Sequence, residues 1–167
     1  TSLFLFTLEH IRHFLQKPAW LATLVGDFLT QFFYLKGGGP VLLALIFVVE
    51  WVLARQILYK IYKGENSGLW ALFPVISDMV LHLGLQHGVS VSVAFIFSML
   101  LFLAYARVSK SAWQANILAI VIGFSGYLLV GSLSLLIPIV VLVFGVAQKR
   151  FNFSGWLIMF ASSVLIP

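Results

Sequence analysis

The sequence contains no cysteine and very few charged residues. Its 167 residues include ten Lys or Arg but only five Asp or Glu, and charged residues make up 9% of the chain. Without thiols there is no disulfide framework, no thiolate metal site and no redox chemistry at sulfur. With so little charge and 62% hydrophobic residues, the chain cannot cover a soluble globule with a polar surface. These scarcities indicate a protein embedded in a lipid bilayer.

The long apolar runs indicate that helices cross this bilayer. The runs are continuous and rich in Leu, Ile, Val and Phe, unlike the short alternating segments of a transmembrane β-barrel. Their lengths predict an all-α, polytopic helical membrane protein with about six transmembrane helices, the last one incomplete. The predicted spans are residues 40–59, 68–86, 89–106, 112–130, 133–147 and 153–167.

The N-terminal part of the chain is amphipathic. Residues 2–16 place apolar and polar side chains on opposite helical faces, and after Pro18 residues 20–35 form an oilier helix with a narrow polar stripe. We expect residues 1–38 to form a pair of interfacial helices on the outer face and residues 39–167 to form the transmembrane bundle. The chain begins without Met and ends inside an apolar run, so we expect it to be a fragment of a longer protein.

Basic residues occur in alternate links between the predicted spans. The links that follow the first, third and fifth spans are basic, whereas residues 86–90 and 131–134 contain no Lys or Arg. The basic residues are Lys60, Lys63, Arg107, Lys110, Lys149 and Arg150. By the positive-inside rule these links are cytoplasmic and the N-terminal helices lie outside. We therefore expect a multi-pass protein of the bacterial cytoplasmic (inner) membrane.

Two acidic residues interrupt the apolar spans. Glu50 lies at the middle of the first span and Asp78 near the middle of the second, with His82 four residues later on the same helical face. A carboxylate at the bilayer centre costs a few kcal/mol, so it must be paired, hydrated or protonated. Antiparallel helices bring Glu50 and Asp78 to similar depths, which predicts one polar site where they share a proton that His82 exchanges. The alternatives are a single buried neutral acid at Glu50 and a structural Asp–His pair.

Proline adds a second feature to the span of residues 68–86. Pro74 lies one turn before Asp78, which predicts a kink that frees the carbonyl of Trp70, and Ser77 supplies a hydroxyl beside it. Broken helices with acidic residues at mid-membrane line substrate or ion paths in transporters. Arg55 lies toward the cytoplasmic end of the first span, where its side chain is expected to anchor the helix.

Other patterns in the sequence do not indicate a specific catalytic or binding site. His10 and His13 beside Glu9 are best explained as a solvated polar face, and we expect no metal site and no cofactor. No nucleotide-binding or nucleic-acid motif is present, so we expect no nucleic-acid partner. Small residues recur at residues 115, 119 and 123, which predicts a helix-packing face.

Three stretches resemble the N-terminal membrane region of a family of uncharacterised bacterial multi-pass membrane proteins. They are residues 4–7 (FLFT), residues 26–35 (GDFLTQFFYL) and residues 126–136 (GYLLVGSLSLL). The resemblance implies a membrane helix before residue 1, further sequence after residue 167, and no known activity. The chain is also similar, more weakly, to multi-pass glycosyltransferases that use lipid-linked sugars. That similarity implies an acidic catalytic residue on the outer helices, and Glu9 and Asp27 are the candidates.

The sequence thus supports three functional hypotheses. The first is a transport or proton-relay domain that uses Glu50, Asp78 and His82. The second is an envelope glycan or lipid transferase with its site at Glu9 and Asp27. The third is a membrane anchor or assembly scaffold. Under each of them the expected partners are membrane lipids and other transmembrane helices or subunits.

The alternating basic links generate a prediction about topology. Because the chain has no native cysteine, single Cys variants can be labelled without background. A Cys that replaces Lys63, Lys110 or Lys149 should be protected from a membrane-impermeant thiol reagent in intact cells, whereas one at His87 should be labelled. Labelling of the Lys110 variant from outside would contradict the predicted order of the spans.

Overall fold

The computed structural model describes residue 15 and residues 17–62, 66–84, 88–108, 112–147 and 153–165. This part of the chain is all-α and has no strand. Its helices are α1 (Trp20–Thr30), α2 (Gly38–Tyr62), α3 (Ser67–Trp70), α4 (Leu72–Leu83), α5 (Val89–Val108), α6 (Ala112–Val130), α7 (Leu136–Ala147) and α8 (Phe153–Leu165). Two 3-10 segments, Gln31–Tyr34 and Gly131–Leu135, follow α1 and α6.

Three helical stretches of the described chain are long and apolar enough to cross a membrane. They are α2 with 25 residues, α5 with 20 residues, and the 34-residue stretch Gln114–Ala147 that contains most of α6 and all of α7. These lengths agree with the predicted membrane protein of the all-α class. The predicted outer helix of residues 2–16 lies outside the described residues except for Leu15.

The stretch Gln114–Ala147 reverses direction at Gly131. Gly131 has φ +77°, a left-handed conformation that ends α6. A Cβ built on Gly126 would lie 3.4 Å from the Cβ of Ser134. In a straight helix these residues, eight apart in sequence, would be separated by about 12 Å along the axis. Therefore the chain after Gly131 folds back toward α6.

The predicted span of residues 68–86 has a different form in the structure. It consists of the short α3 and then α4, with a turn at Ala71 between them. Pro74 is the third residue of α4, where its missing N–H costs no helical hydrogen bond. Ser77 donates to the carbonyl of Phe73 at 2.9 Å and is exposed. The helix is therefore interrupted between Trp70 and Pro74, in the turn where the proline has no N–H for the carbonyl of Trp70, as the sequence predicted.

Helix α5 is the centre of the bundle and contacts α1, α2, α6 and α7. One buried apolar cluster joins its middle and second half to the four helices α2, α6, α7 and α8. A second cluster surrounds its first turn and includes Ala22, Ile46, Val89, Val93, Ala94 and Val130. The small residues Ala115 and Ala119 of α6 are buried in the first cluster, as predicted, and α6 packs most extensively on α8.

Helix α1 lies across the end of the bundle where α5 begins and α6 ends, which we call the α1 end. Ala19, which precedes α1, would touch a Cβ built on Gly131 at 2.8 Å. Gly26 faces the backbone of Ser90 in the first turn of α5. After α1 the chain turns at Gly37, whose φ is +82°, and α2 begins at Gly38. Small residues thus allow α1 to pack closely on this end.

The contact at Gly26 generates a prediction about stability. A methyl group at Gly26 would lie 2.5 Å from the Cα and 2.8 Å from the N of Ser90, atoms that cannot move without shifting α5. Gly26→Ala should therefore destabilise the protein by about 1–3 kcal/mol and lower its melting temperature in detergent.

Gly68→Ala provides the matched control. The nearest atoms to a Cβ at Gly68, in Arg55 and Trp51, are 4.0 Å away, so this variant should melt at or above the wild-type temperature. Equal melting temperatures for the two variants would show that α1 does not pack on α5 as described.

Candidate functional site

A buried polar cluster connects α4 to α5. Asp78 and His82 lie one turn apart on α4, and Ser92 lies in the first turn of α5. The Ser92 hydroxyl donates to Asp78 Oδ2 at 2.7 Å, and the same Ser92 oxygen lies 2.8 Å from His82 Nε2. His82 Nε2 is 3.6 Å from Asp78 Oδ2. Ser92 therefore bridges the imidazole and the carboxylate that the i, i+4 spacing had brought onto one face.

The hydrogen-bond directions determine which histidine nitrogen carries a proton. A carboxylate can only accept, so the single hydroxyl proton of Ser92 is used on Asp78. The Ser92 oxygen must then accept from His82, which requires a proton on Nε2. The three side chains form a chain of donors that runs from His82 through Ser92 to Asp78.

Glu50 of α2 lies beside this cluster. It is fully buried, and its carboxylate is close enough to Asp78 for the two charges to interact. Neither of its carboxylate oxygens has a hydrogen-bond partner among the described residues. One turn earlier on α2, the ring of Phe47 packs edge-on against the imidazole of His82. The structure thus brings Glu50, Asp78 and His82 together, while their role stays a prediction.

The cluster lies close to the link between α4 and α5. Asp78 is five residues from the end of α4 at Leu83, and Ser92 is three residues from the start of α5 at Val89. These separations place the cluster about 5–8 Å from the α1 end of these helices. Glu50 is the thirteenth of the 25 residues of α2 and Asp78 is the seventh of the 12 residues of α4, so each lies at the middle of its own helix. The expectation that Asp78 lies near the middle of its helix agrees with these bounds, and its depth in a membrane stays a prediction.

An apolar cavity of about 520 Å³ lies in the same bundle, and its lining includes none of the four residues of the polar site. It lies between α2, α4, α5 and α7, and apart from Ser98 every residue that lines it is hydrophobic. The hydroxyl of Ser98 already donates within hydrogen-bond distance of the carbonyls of Ala94 and Leu133. Exposed side chains such as Phe73, Ile139 and Val143 form part of the lining, so the cavity opens on the lipid-facing side of the bundle.

The other candidates do not join the cluster. Glu9 lies outside the described residues, and Asp27 is exposed on α1. Arg55 is exposed, and its guanidinium carbon lies 5.7 Å from the ring centre of Trp51. Trp51 in turn donates from Nε1 to the carbonyl of Gly68 at 3.0 Å. Arg55 therefore stacks on an aromatic ring at the far end of α2, consistent with an anchoring role.

No metal site is found in the part of the chain that the structure describes, since no three His, Cys, Asp or Glu side chains meet there. Sequence reasoning missed Ser92 and Phe47. A serine in the first turn of the next span, opposite Asp78 and His82 in a helical hairpin, was the available signal. This signal does not single out Ser92, because serines also occur at residues 90 and 98 of the same span.

The fold and the cluster define a class: an all-α protein with membrane-spanning helices and a buried acid and histidine site. Over residues 1–167 the chain matches a family of unknown function (DUF6057), and it belongs to that family. Neither a curated protein nor a solved structure matches the chain.

The bridging position of Ser92 generates a prediction. Ser92→Ala leaves buried Asp78 and His82 to interact only across 3.6 Å, which should cost about 1–3 kcal/mol of stability. Nitrogen NMR of ¹⁵N-histidine-labelled protein should report protonated Nε2 at His82 in the wild type and a changed His82 signal in the variant.

Ser77→Ala is the control, because the Ser77 hydroxyl bonds only to its own helix and is exposed. It should alter neither the melting temperature nor the His82 signal. An unchanged His82 signal in Ser92→Ala would contradict the bridge.

Proposed function

We propose that this protein is an integral membrane protein in which Glu50, Asp78 and His82 hold and exchange a proton, as part of a transport or proton-relay domain. The observation that carries the proposal is the fully buried, unpartnered carboxylate of Glu50 beside the Asp78–Ser92–His82 chain. A buried acid pair beside a hydrogen-bonded histidine supplies the groups that a proton relay uses.

The first support comes from the cost of charge in an apolar bundle. Two ionised carboxylates side by side, away from water, would repel one another and would also lose their hydration. Glu50 and Asp78 interact electrostatically, and the described residues supply hydrogen-bond donors to Asp78 but not to Glu50. One proton shared by the pair removes the repulsion and gives Glu50 its missing hydrogen bond.

The second support comes from the position of His82. His82 is the next-to-last residue of α4, and 11% of its side chain is exposed, so it lies between the acid pair and the α1 end. An imidazole changes its protonation state near neutral pH and can pass a proton between water and a buried acid. Ser92 gives the proton a hydrogen-bonded path to Asp78.

The proposal includes a membrane topology. The reversal of the chain at Gly131 supports a count of six spans, with the basic links on the cytoplasmic side. Helix α1, Gly37 and the start of α5 then lie on the outer side of a bacterial inner membrane. In this orientation His82 faces the outer side.

The transferase and scaffold hypotheses stay open as alternatives. Asp27, a candidate of the transferase hypothesis, lies on exposed α1 and apart from the buried cluster. No specific contact of the described residues favours either alternative over the relay.

The shared proton can be tested by infrared spectroscopy of the reconstituted protein. The wild type should show a protonated carboxyl band from the pair, Asp27→Asn should keep it, and Glu50→Gln and Asp78→Asn should each abolish or shift it. A shared proton belongs to both residues. The changes in band intensity caused by Glu50→Gln and by Asp78→Asn should therefore not sum to the change that the wild-type band shows when the pH is titrated. Additive changes would show that the carboxyls ionise independently.

The relay itself can be tested through the rate at which this carboxyl proton exchanges in heavy water. We expect His82→Gln to slow the exchange by about 10²-fold, because a positioned acid–base group is lost. Ser92→Ala should slow it as well, and Ser77→Ala should not. Unchanged exchange in both His82→Gln and Ser92→Ala would overturn the relay.

A further inference from the structure

We propose that the apolar cavity binds an acyl chain of an anionic phospholipid. The chain enters from the lipid-facing side, between α4 and α7, and the head group lies at the end of the bundle opposite the α1 end. The site uses none of the residues of the proposed proton relay. It goes beyond that function, because no proton has to move for a lipid to bind.

The cavity lies between two helices that are held apart. Its inner wall consists of α2 and α5, which pack on each other and contribute buried residues such as Ala54, Met99 and Phe102. Helix α4 packs on α2, and α7 packs on α2 and α5, but within the described ranges α4 and α7 make no extensive contact with each other. The exposed Phe73 of α4 and Ile139 of α7 flank the opening between them. In a bilayer this opening faces lipid.

The dimensions of the cavity fit hydrocarbon chains and exclude a helix. Its lining runs from Ala54 to Ile61 on α2 and from Phe95 to Phe102 on α5, which is about 10 Å along each helix axis. A volume of about 520 Å³ over that length gives a cross-section of about 50 Å². A helix with its side chains is about 10–12 Å across and needs about 80–110 Å². A methylene chain, with carbon–carbon contacts of about 4 Å, needs only about 15–20 Å².

The polarity of the lining also selects a hydrocarbon chain. Ser98 is the one hydroxyl-bearing residue of the lining, and its hydroxyl is within hydrogen-bond distance of the carbonyls of Ala94 and Leu133. A polar group would lose its hydration there without gaining a partner from this hydroxyl. An empty space leaves the apolar side chains around it without partner atoms, and an acyl chain supplies those contacts.

The cavity lies toward the end of the bundle opposite the α1 end, which we call the basic end. On α2 the lining reaches Ile61, one residue before the helix ends at Tyr62. In the other direction it stops at Ala54, about 24 Å along the axis from the start of α2 at Gly38. A lipid whose chain fills the cavity therefore has its head group at the basic end.

Charge complementarity at the basic end selects an anionic head group. Helices α2, α5 and α7, which all line the cavity, end there. In the sequence, residues 60–66, 107–111 and 148–152 together contain six Lys or Arg and one acidic residue, Glu65. Lys60 directly precedes Ile61 of the lining. Basic residues at a membrane surface attract anionic lipids, so a phosphate without a compensating positive charge is favoured.

The test uses photoreactive phospholipids on the purified protein in lipid nanodiscs. Phosphatidylglycerol and phosphatidylcholine that carry the same diazirine-bearing acyl chain are compared, and the cross-linked residues are identified by mass spectrometry. We expect cross-links at the buried lining residues Met99 and Ile137, with about fivefold more from phosphatidylglycerol, the ratio that one basic residue near the head group gives. Cross-links confined to exposed residues outside the lining, such as Val121 and Phe124, would overturn the proposal.

Salt tests the head-group assignment separately. At about 1 M salt, where the screening length is about 3 Å, the preference for phosphatidylglycerol should fall while both lipids still label the cavity. Equal labelling by the two lipids at low salt, or a preference that salt does not change, would contradict a charged head-group site at the basic end.

Two matched variants of α7 test the opening. Val143 and Val146 are both exposed, but only Val143 lines the cavity. Val143→Trp narrows the opening and should reduce cross-linking at Met99 by both lipids about tenfold, which corresponds to the loss of about ten carbon–carbon contacts. Val146→Trp should leave the cross-linking unchanged. Equal labelling of the two variants, at equal melting temperatures, would show that the chain does not enter between α4 and α7.

A second copy of the chain is the alternative occupant of the opening. Because the sequence has no native cysteine, Val143→Cys reports directly on contact between copies. We expect no disulfide-linked dimer of this variant under mild oxidation in nanodiscs. Efficient cross-linking between copies, with no lipid label at Met99, would assign the opening to a protein contact and overturn the proposal.

Discussion

The hydrogen bond from Ser92 to Asp78 is the contact on which the polar part of this structure depends. A carboxylate inside an apolar bundle is tolerated only when neighbouring helices supply donors, and α5 supplies one in its first turn. Because α5 also contacts α1, α2, α6 and α7, this bond ties the hairpin of α4 and α5 to the centre of the bundle. The bridge to His82 then orients the imidazole without a direct bond to the acid.

Glu50 is a second buried carboxylate, and no group of the described residues donates a hydrogen bond to it. Its two oxygens lack donors, although the residue is completely buried next to a second acid. A proton shared with Asp78 is one way to neutralise this pair.

The apolar part of the fold follows from close packing rather than from hydrophobic burial alone. In lipid, association of helices depends on the fit of their surfaces, and small residues permit the closest approach. Gly26 meets the backbone of α5, Ala19 meets Gly131, and Ala115 and Ala119 are buried where α6 packs in the core. Where large side chains surround the space between α2, α4, α5 and α7, the packing leaves an apolar cavity.

The sequence by itself determined the class of the protein and the chemistry available to it. The composition indicated a protein surrounded by lipid, and the length of the apolar runs indicated that helices cross it. The i, i+4 spacing of Asp78 and His82 placed both side chains on one helical face. Gly37 and Gly131 marked turns because only glycine adopts positive φ without strain. Tertiary structure alone decided that Ser92 completes the cluster and that an apolar cavity opens between α2, α4, α5 and α7. These features depend on how the helices shift and rotate against one another. Side-chain packing between residues distant in sequence sets that placement, and the periodicity of a single apolar run contains no information about it.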